Sequence, residues 1–123
     1  MQKTKISLND IQNMLYKEYI TNGYLDSWTV NTDNVKGDFN ILQQKLDLAE
    51  VGLFISEIAE AQEILRNYDE TNICNFESLS FECVDIIIRV LNFASRKGID
   101  IEKAIFQKHT INMTRGKLHG KNI

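Results

Sequence analysis

Leu8, Ile11, Leu15 and Tyr19 recur at helical spacing with polar residues between them, the pattern of a helix with one apolar stripe. Ser7 and Asp10 have the spacing of a capping box, so this helix begins near Leu8, and its pattern fades near Gly23. The following stretch, GYLDSWTVNTDNVKGDFN, is rich in Gly, Asn, Asp and Thr and reads as an ordered loop or lid. From about Ile41 to Arg66 the apolar residues, among them Leu46, Ala49, Leu53, Phe54, Ile58, Ala61 and Leu65, occupy more than one face, which predicts a long, largely buried helix. A polar connection leads to Asn75 as N-cap of a third helix, from about Phe76 to Lys97, stopped by Gly98. Val84 to Val90 alone could pass for a buried strand, but a run of this length without a turn signal decides for helix. Asp100 caps a fourth helix, with Glu102 in its first turn, reaching about Asn112.

Composition supports this reading. The 123 residues contain no proline, so nothing forces a helix to break, and 43% hydrophobic with 25% charged residues is ordinary for a folded globular chain. The length fits a single domain over residues 1–123 with an all-α fold, a bundle of four to five helices. A chain this short with such apolar helices is expected to cover part of that surface with another copy. Cys74 and Cys83 have neither zinc spacing nor the density of a disulfide scaffold and read as buried or idle thiols. No segment has the length of a membrane span and the start lacks a signal-type apolar region, so a cytoplasmic location is expected.

Charge is unevenly placed. The net charge of -3 argues against stable nucleic-acid binding, yet Arg96 to Ile123 hold seven Lys or Arg against two acidic residues, leaving residues 1–95 strongly acidic. Part of that acid lies within the two most apolar helices, as Glu57 with Glu60 and Glu82 with Asp85. Residues three apart on a helix sit about 60° apart around it, so each pair points one way, and antiparallel packing would let the pairs face each other. Buried carboxylates facing one another need a cation. Arg89, four residues after Asp85, can pair with it along the helix, which accounts for one acid of the four. Solvent exposure is the other ordinary reading, against which the apolar neighbours Phe81, Val84, Ile86, Ile87 and Ile88 weigh. An all-oxygen ligand set suits magnesium, or manganese, rather than zinc, and such ions leave positions for water and phosphates. His109 and His119 lie outside both pairs, which removes the di-iron pattern of Glu-x-x-His, and both read as surface residues.

The segments FISEIAEAQEIL, ECVDIIIRVLNFASRKGIDIEKAI and KHTINMTRGKLHG together resemble the MazG-like all-α nucleoside triphosphate pyrophosphohydrolases, over about Leu42 to Lys121, with weaker similarity in NGYLDSW. The resemblance implies that Glu57, Glu60, Glu82 and Asp85 bind magnesium and form the catalytic centre. The reaction it implies is hydrolysis of a nucleoside triphosphate, a deoxy or non-canonical one, at the α–β bond to monophosphate and pyrophosphate, in nucleotide metabolism. It implies that Lys108, Asn112 and Arg115 reach the phosphates or sugar, and that the assembly is a homodimer or homotetramer. Trp28 and Tyr24 are placed to stack on a base or, equally, to plug the core. Two positions depart from the family: Ser56 stands where many relatives carry a further Glu, a candidate general base, and Gly116 where they often carry proline. Glu50 and Glu63 lie roughly on the side of Glu57 and Glu60, with solvent exposure the ordinary reading. The alternatives are a non-catalytic helical nucleotide- or metal-binding module and a phosphoribosyl-ATP pyrophosphohydrolase.

Overall fold

The computed structural model describes residues 5–31, 37–69 and 71–115, and every regular element among them is helical. Five helices follow one another: α1 (Leu8–Thr21), α2 (Tyr24–Trp28), α3 (Phe39–Arg66), α4 (Ile73–Arg96) and α5 (Ile101–Arg115). The side chains of Ile73 and Cys74, and all of Gly116 and His119, lie outside the described residues.

Local signals set most boundaries. Ser7 Oγ accepts from the Asp10 amide at 3.1 Å while Asp10 accepts from the Ser7 amide at 3.0 Å, a complete capping box for α1. At the end of α4, Gly98 adopts φ 74°, its amide bonds Ser95 O at 3.0 Å, and the Ile99 amide bonds Ala94 O at 2.8 Å. This is a Schellman closure, which favours a residue without Cβ. Asp100 then accepts from the Lys103 amide at 3.0 Å and opens α5. Four expected boundaries are corrected. Part of the Gly23–Asn40 segment is the short helix α2, because Gly23 at φ 82° ends α1 and turns the chain into a new helical turn. Asp38 caps α3 through the Asn40 and Ile41 amides, two residues before the expected start. Asn75 lies inside α4 rather than capping it, and α5 runs one turn past Asn112.

The core sits where α4 meets α3 and α1. Leu91, Ala94 and Tyr19 are buried there, and Phe54 of α3 meets Phe93 of α4 edge to face at 5.8 Å. On α1 the inward line passes through Gln12 and Tyr19, while Ile11 is exposed. Gln12 makes the corner: its Nε2 donates to Ser95 Oγ at 3.0 Å and to Ile99 O at 2.9 Å, and its Oε1 accepts from the Ile101 amide at 3.4 Å. One amide thereby ties α1 to the α4–α5 junction.

The expectation that α3 is largely buried is corrected for the single chain. Its buried residues are Glu50 and Glu57, whereas Leu48, Val51, Ile55 and Ile58 are exposed, as are Phe81, Val84 and Ile87 on α4. No helix among the described residues is long and apolar enough to cross a membrane. Cys83 is a free, exposed thiol.

Candidate functional site

Antiparallel packing of α3 against α4 brings the two i, i+3 acid pairs together. Carboxylate oxygens of Glu57, Glu82 and Asp85 lie within 4.8 Å of one another, and Glu82 also faces Glu60 at hydrogen-bonding reach. Glu57 is buried, Glu82 half-buried, and Glu60 and Asp85 exposed, so the cluster sits at the mouth of a cleft, open on one side. Glu82 Oε2 is buried without a hydrogen-bond partner. Burial, then the hydrogen bond and charge of Glu60, then the charges of Asp85 and Glu57, push the Glu82 carboxyl up to about 7. Arg89 is the cation nearest to hand, and here the expected pairing is corrected. It reaches across to α3, placing Nε 3.0 Å from Glu57 Oε1, rather than pairing along α4 with Asp85.

Inward from the cluster is a cavity of about 290 Å³ lined by Tyr19, Tyr24, Trp28, Glu50, Glu57, Asp85, Ile88, Arg89 and Asn92. Trp28 and Tyr24 therefore stand on α2 beside the carboxylates, as aromatic walls. The Tyr24 ring lies against Tyr19 at 5.8 Å, and Tyr19 against Tyr16 at 5.6 Å. Gln43 holds the α2 end in place: its Nε2 donates to Trp28 O at 2.7 Å and to Asp47 Oδ1 at 2.9 Å, and its Oε1 accepts from the Val30 amide at 2.9 Å.

A second acidic group lies farther along the same two helices. Glu50, for which exposure was the ordinary reading, is 3% exposed. Its Oε2 accepts from Tyr19 OH at 2.6 Å, and its Oε1 accepts from Arg96 Nε at 2.8 Å, with Arg96 Nη2 forming the ion pair at 2.7 Å. Arg96 Nη1 also reaches Asp47 Oδ1 at 2.7 Å, and Lys97 Nζ meets Asp47 Oδ2 at 2.8 Å. Burial alone would raise Asp47; hydrogen bonds from Lys97, Gln43 and Arg96 outweigh it and hold the carboxyl at about 2. Tyr19 is raised, by burial first and then by its bond to Glu50 and the Glu50 charge. Burial would lower Arg96, but Asp47 and Glu50 together raise it. Thus the first two charges of the basic C-terminal stretch are engaged by α3 carboxylates, Arg96 in the interior and Lys97 at the surface. Glu63 behaves as expected, exposed and paired with Arg66.

The remaining sequence candidates lie elsewhere. Lys108 and Arg115 on α5 are exposed, and Asn112 is half-buried with its Oδ1 unpartnered. None of the three lines the cavity, because α5 packs on α1 rather than along the α3–α4 cleft. Ser56 is exposed on α3 and His109 exposed on α5. Sequence reasoning missed Asn92 and misplaced Glu50. Both stand seven residues, two helical turns, from a cluster member on the same face, Asn92 from Asp85 and Glu50 from Glu57, and that spacing was the available signal.

Comparison of the chain with protein-family models, with curated proteins and with solved structures finds no match.

Proposed function

We propose that the chain is a magnesium-dependent nucleoside triphosphate pyrophosphohydrolase that cleaves the α–β bond. The observation that carries this reading is the meeting of Glu57, Glu82 and Asp85 oxygens within 4.8 Å, with Glu82 Oε2 buried and unpartnered, at the mouth of an aromatic-walled cavity. Uncompensated carboxylates at this spacing fit a hard divalent ion, magnesium or manganese, and Glu60 beside Glu82 extends the donor set. When bound, the ion supplies charge stabilisation for the triphosphate and a water of lowered pKa. The chain's own part is positional. Glu57, Glu82 and Asp85 would hold the ion that offsets the charge of the phosphates at the cleft mouth, Arg89 would offer a guanidinium to a phosphate oxygen, and Trp28 and Tyr24 would flank the nucleoside.

A second copy belongs to the same proposal. Leu48, Val51, Ile55 and Ile58 on α3 and Phe81, Val84 and Ile87 on α4 are the apolar residues a homodimer or homotetramer would cover. Lys108, Asn112 and Arg115 would meet a triphosphate only if such assembly brings α5 of one copy to the cleft of another. Sedimentation at micromolar concentration should show no monomer. The family resemblance, the single domain and the cytoplasmic setting are part of this reading.

Pyrophosphate release across a panel of ribo- and deoxynucleoside triphosphates, with magnesium and then manganese, tests the activity. Glu82→Gln should abolish release while helical content is kept. Nucleotide binding without turnover in the wild type would favour the non-catalytic module, for which Ser56 and the Arg89–Glu57 ion pair speak. Turnover of phosphoribosyl-ATP alone would favour the third reading.

A further inference from the structure

The cavity has two chemically different ends. At one end stand Glu57 and Asp85, with Glu82 clustered beside them and Arg89, paired with Glu57, as the cation among the lining residues. Two helical turns inward, about 10 Å along α3 and α4, stand Glu50 and Asn92. Glu50 is already met by Arg96 and Tyr19, so this inner end is neutral on balance. Asn92 is different. It is 9% exposed, it lines the cavity, and its Oδ1 has no hydrogen-bond partner. A buried carboxamide oxygen left unpaired is destabilising, a cost removed when a ligand supplies the missing bond. A carboxamide carries both a donor and an acceptor, and can pair with a heterocycle edge that offers both.

We propose that Asn92 is the specificity-determining residue of a nucleobase subsite at the inner end of this cavity. The base lies between the Trp28 and Tyr24 walls with its hydrogen-bonding edge on Asn92, and the phosphates point outward to the carboxylates. Polarity fixes that orientation: an uncharged, flat, polar-edged ring matches the neutral aromatic end, and a metal-bound polyphosphate matches the acidic mouth. The inference rests on the proposed nucleotide substrate, but its test does not depend on hydrolysis.

Trp28 is the single tryptophan of the chain, so its fluorescence reports the cavity directly. The full-length protein, in chelator, is titrated with the four deoxynucleosides, which carry neither phosphate nor metal. The wild type should show saturable fluorescence changes with affinities that differ among the bases. In Asn92→Leu, similar in size but without the amide, the best-bound nucleoside should weaken about tenfold and the differences among bases collapse. Side-chain amide resonances of ¹⁵N-labelled wild type supply a reading that needs no variant: the Asn92 signal should shift on saturation. A wild type that gives no saturable change, or a folded Asn92→Leu that keeps the wild-type order and affinities, overturns the proposal. Pyrophosphate release with unaltered base preference in Asn92→Leu would overturn the subsite and leave the hydrolase standing. Nucleoside binding that depends on Asn92 in a protein without turnover would do the reverse.

Discussion

Two acidic groups lie two turns apart on the same helix pair, and they have opposite physics. Asp47 and Glu50 are met by Arg96, Lys97, Gln43 and Tyr19, so nearly every lone pair there has a donor. Glu57, Glu60, Glu82 and Asp85 have Arg89, held to Glu57, as the cation seen among them. The first group is a strut joining α1, α3 and α4. The second raises the free energy of the fold unless something positive joins it, because desolvated like charges are not offset by their surroundings. Acid content alone says nothing of function; whether the chain supplies the partner does.

The contrast is broken most severely by removing Arg96. Arg96→Ala leaves Glu50 and Asp47 without their shared cation in a site where the arginine side chain is 4% exposed, and should cost about 3–5 kcal/mol, read from urea denaturation. Glu82→Gln should act in the opposite sense. The metal-free protein should gain stability, seen as a higher urea midpoint in chelator, while manganese affinity falls more than the roughly tenfold to hundredfold that outer-shell partners cost. Equal loss of stability in both variants would erase the distinction.

Acid titration sharpens the comparison further, with smaller effects. Asp47 is held at about 2, below its ordinary 3.8, so its contribution is present above pH 3.8 and lost as pH falls through about 2. Glu82 is raised from 4.5 to about 7, so its cost is absent below pH 4.5 and grows as pH rises to 7. In chelator the urea midpoint should therefore fall on both sides, below about pH 4 and from about 4.5 to 7. Asp47→Asn should flatten the acid limb and Glu82→Gln the other.

Much of this was legible along the chain because it is local. The Ser7–Asp10 box, the Gly98 stop, the Asp100 cap and the shared face of Glu57 with Glu60 and of Glu82 with Asp85 each depend on residues within one turn. What escaped depends on pairings between distant segments. Glu50 read as solvent-exposed because Arg96, its partner, lies 46 positions away, and Arg89 found Glu57 rather than Asp85 only through the register of α3 on α4. The α2 turn escaped because GYLDSW carries turn-forming residues, and the Gln43 bonds to Trp28 and Val30 that hold the segment come from α3.

The Gln12 clasp has a dynamic meaning. Apart from that amide and its packing on α1, α5 presents Ile105, Phe106, Ile111 and Met113 outward and shares little of the core around Leu91 and Ala94. Its free energy of opening in the isolated chain is therefore expected to be low, with α5 opening apart from α3 and α4. Helix α5 should exchange its amide hydrogens with solvent while α3 and α4 stay protected, and any surface that docks on Phe106 and Met113 would close that opening and slow the exchange.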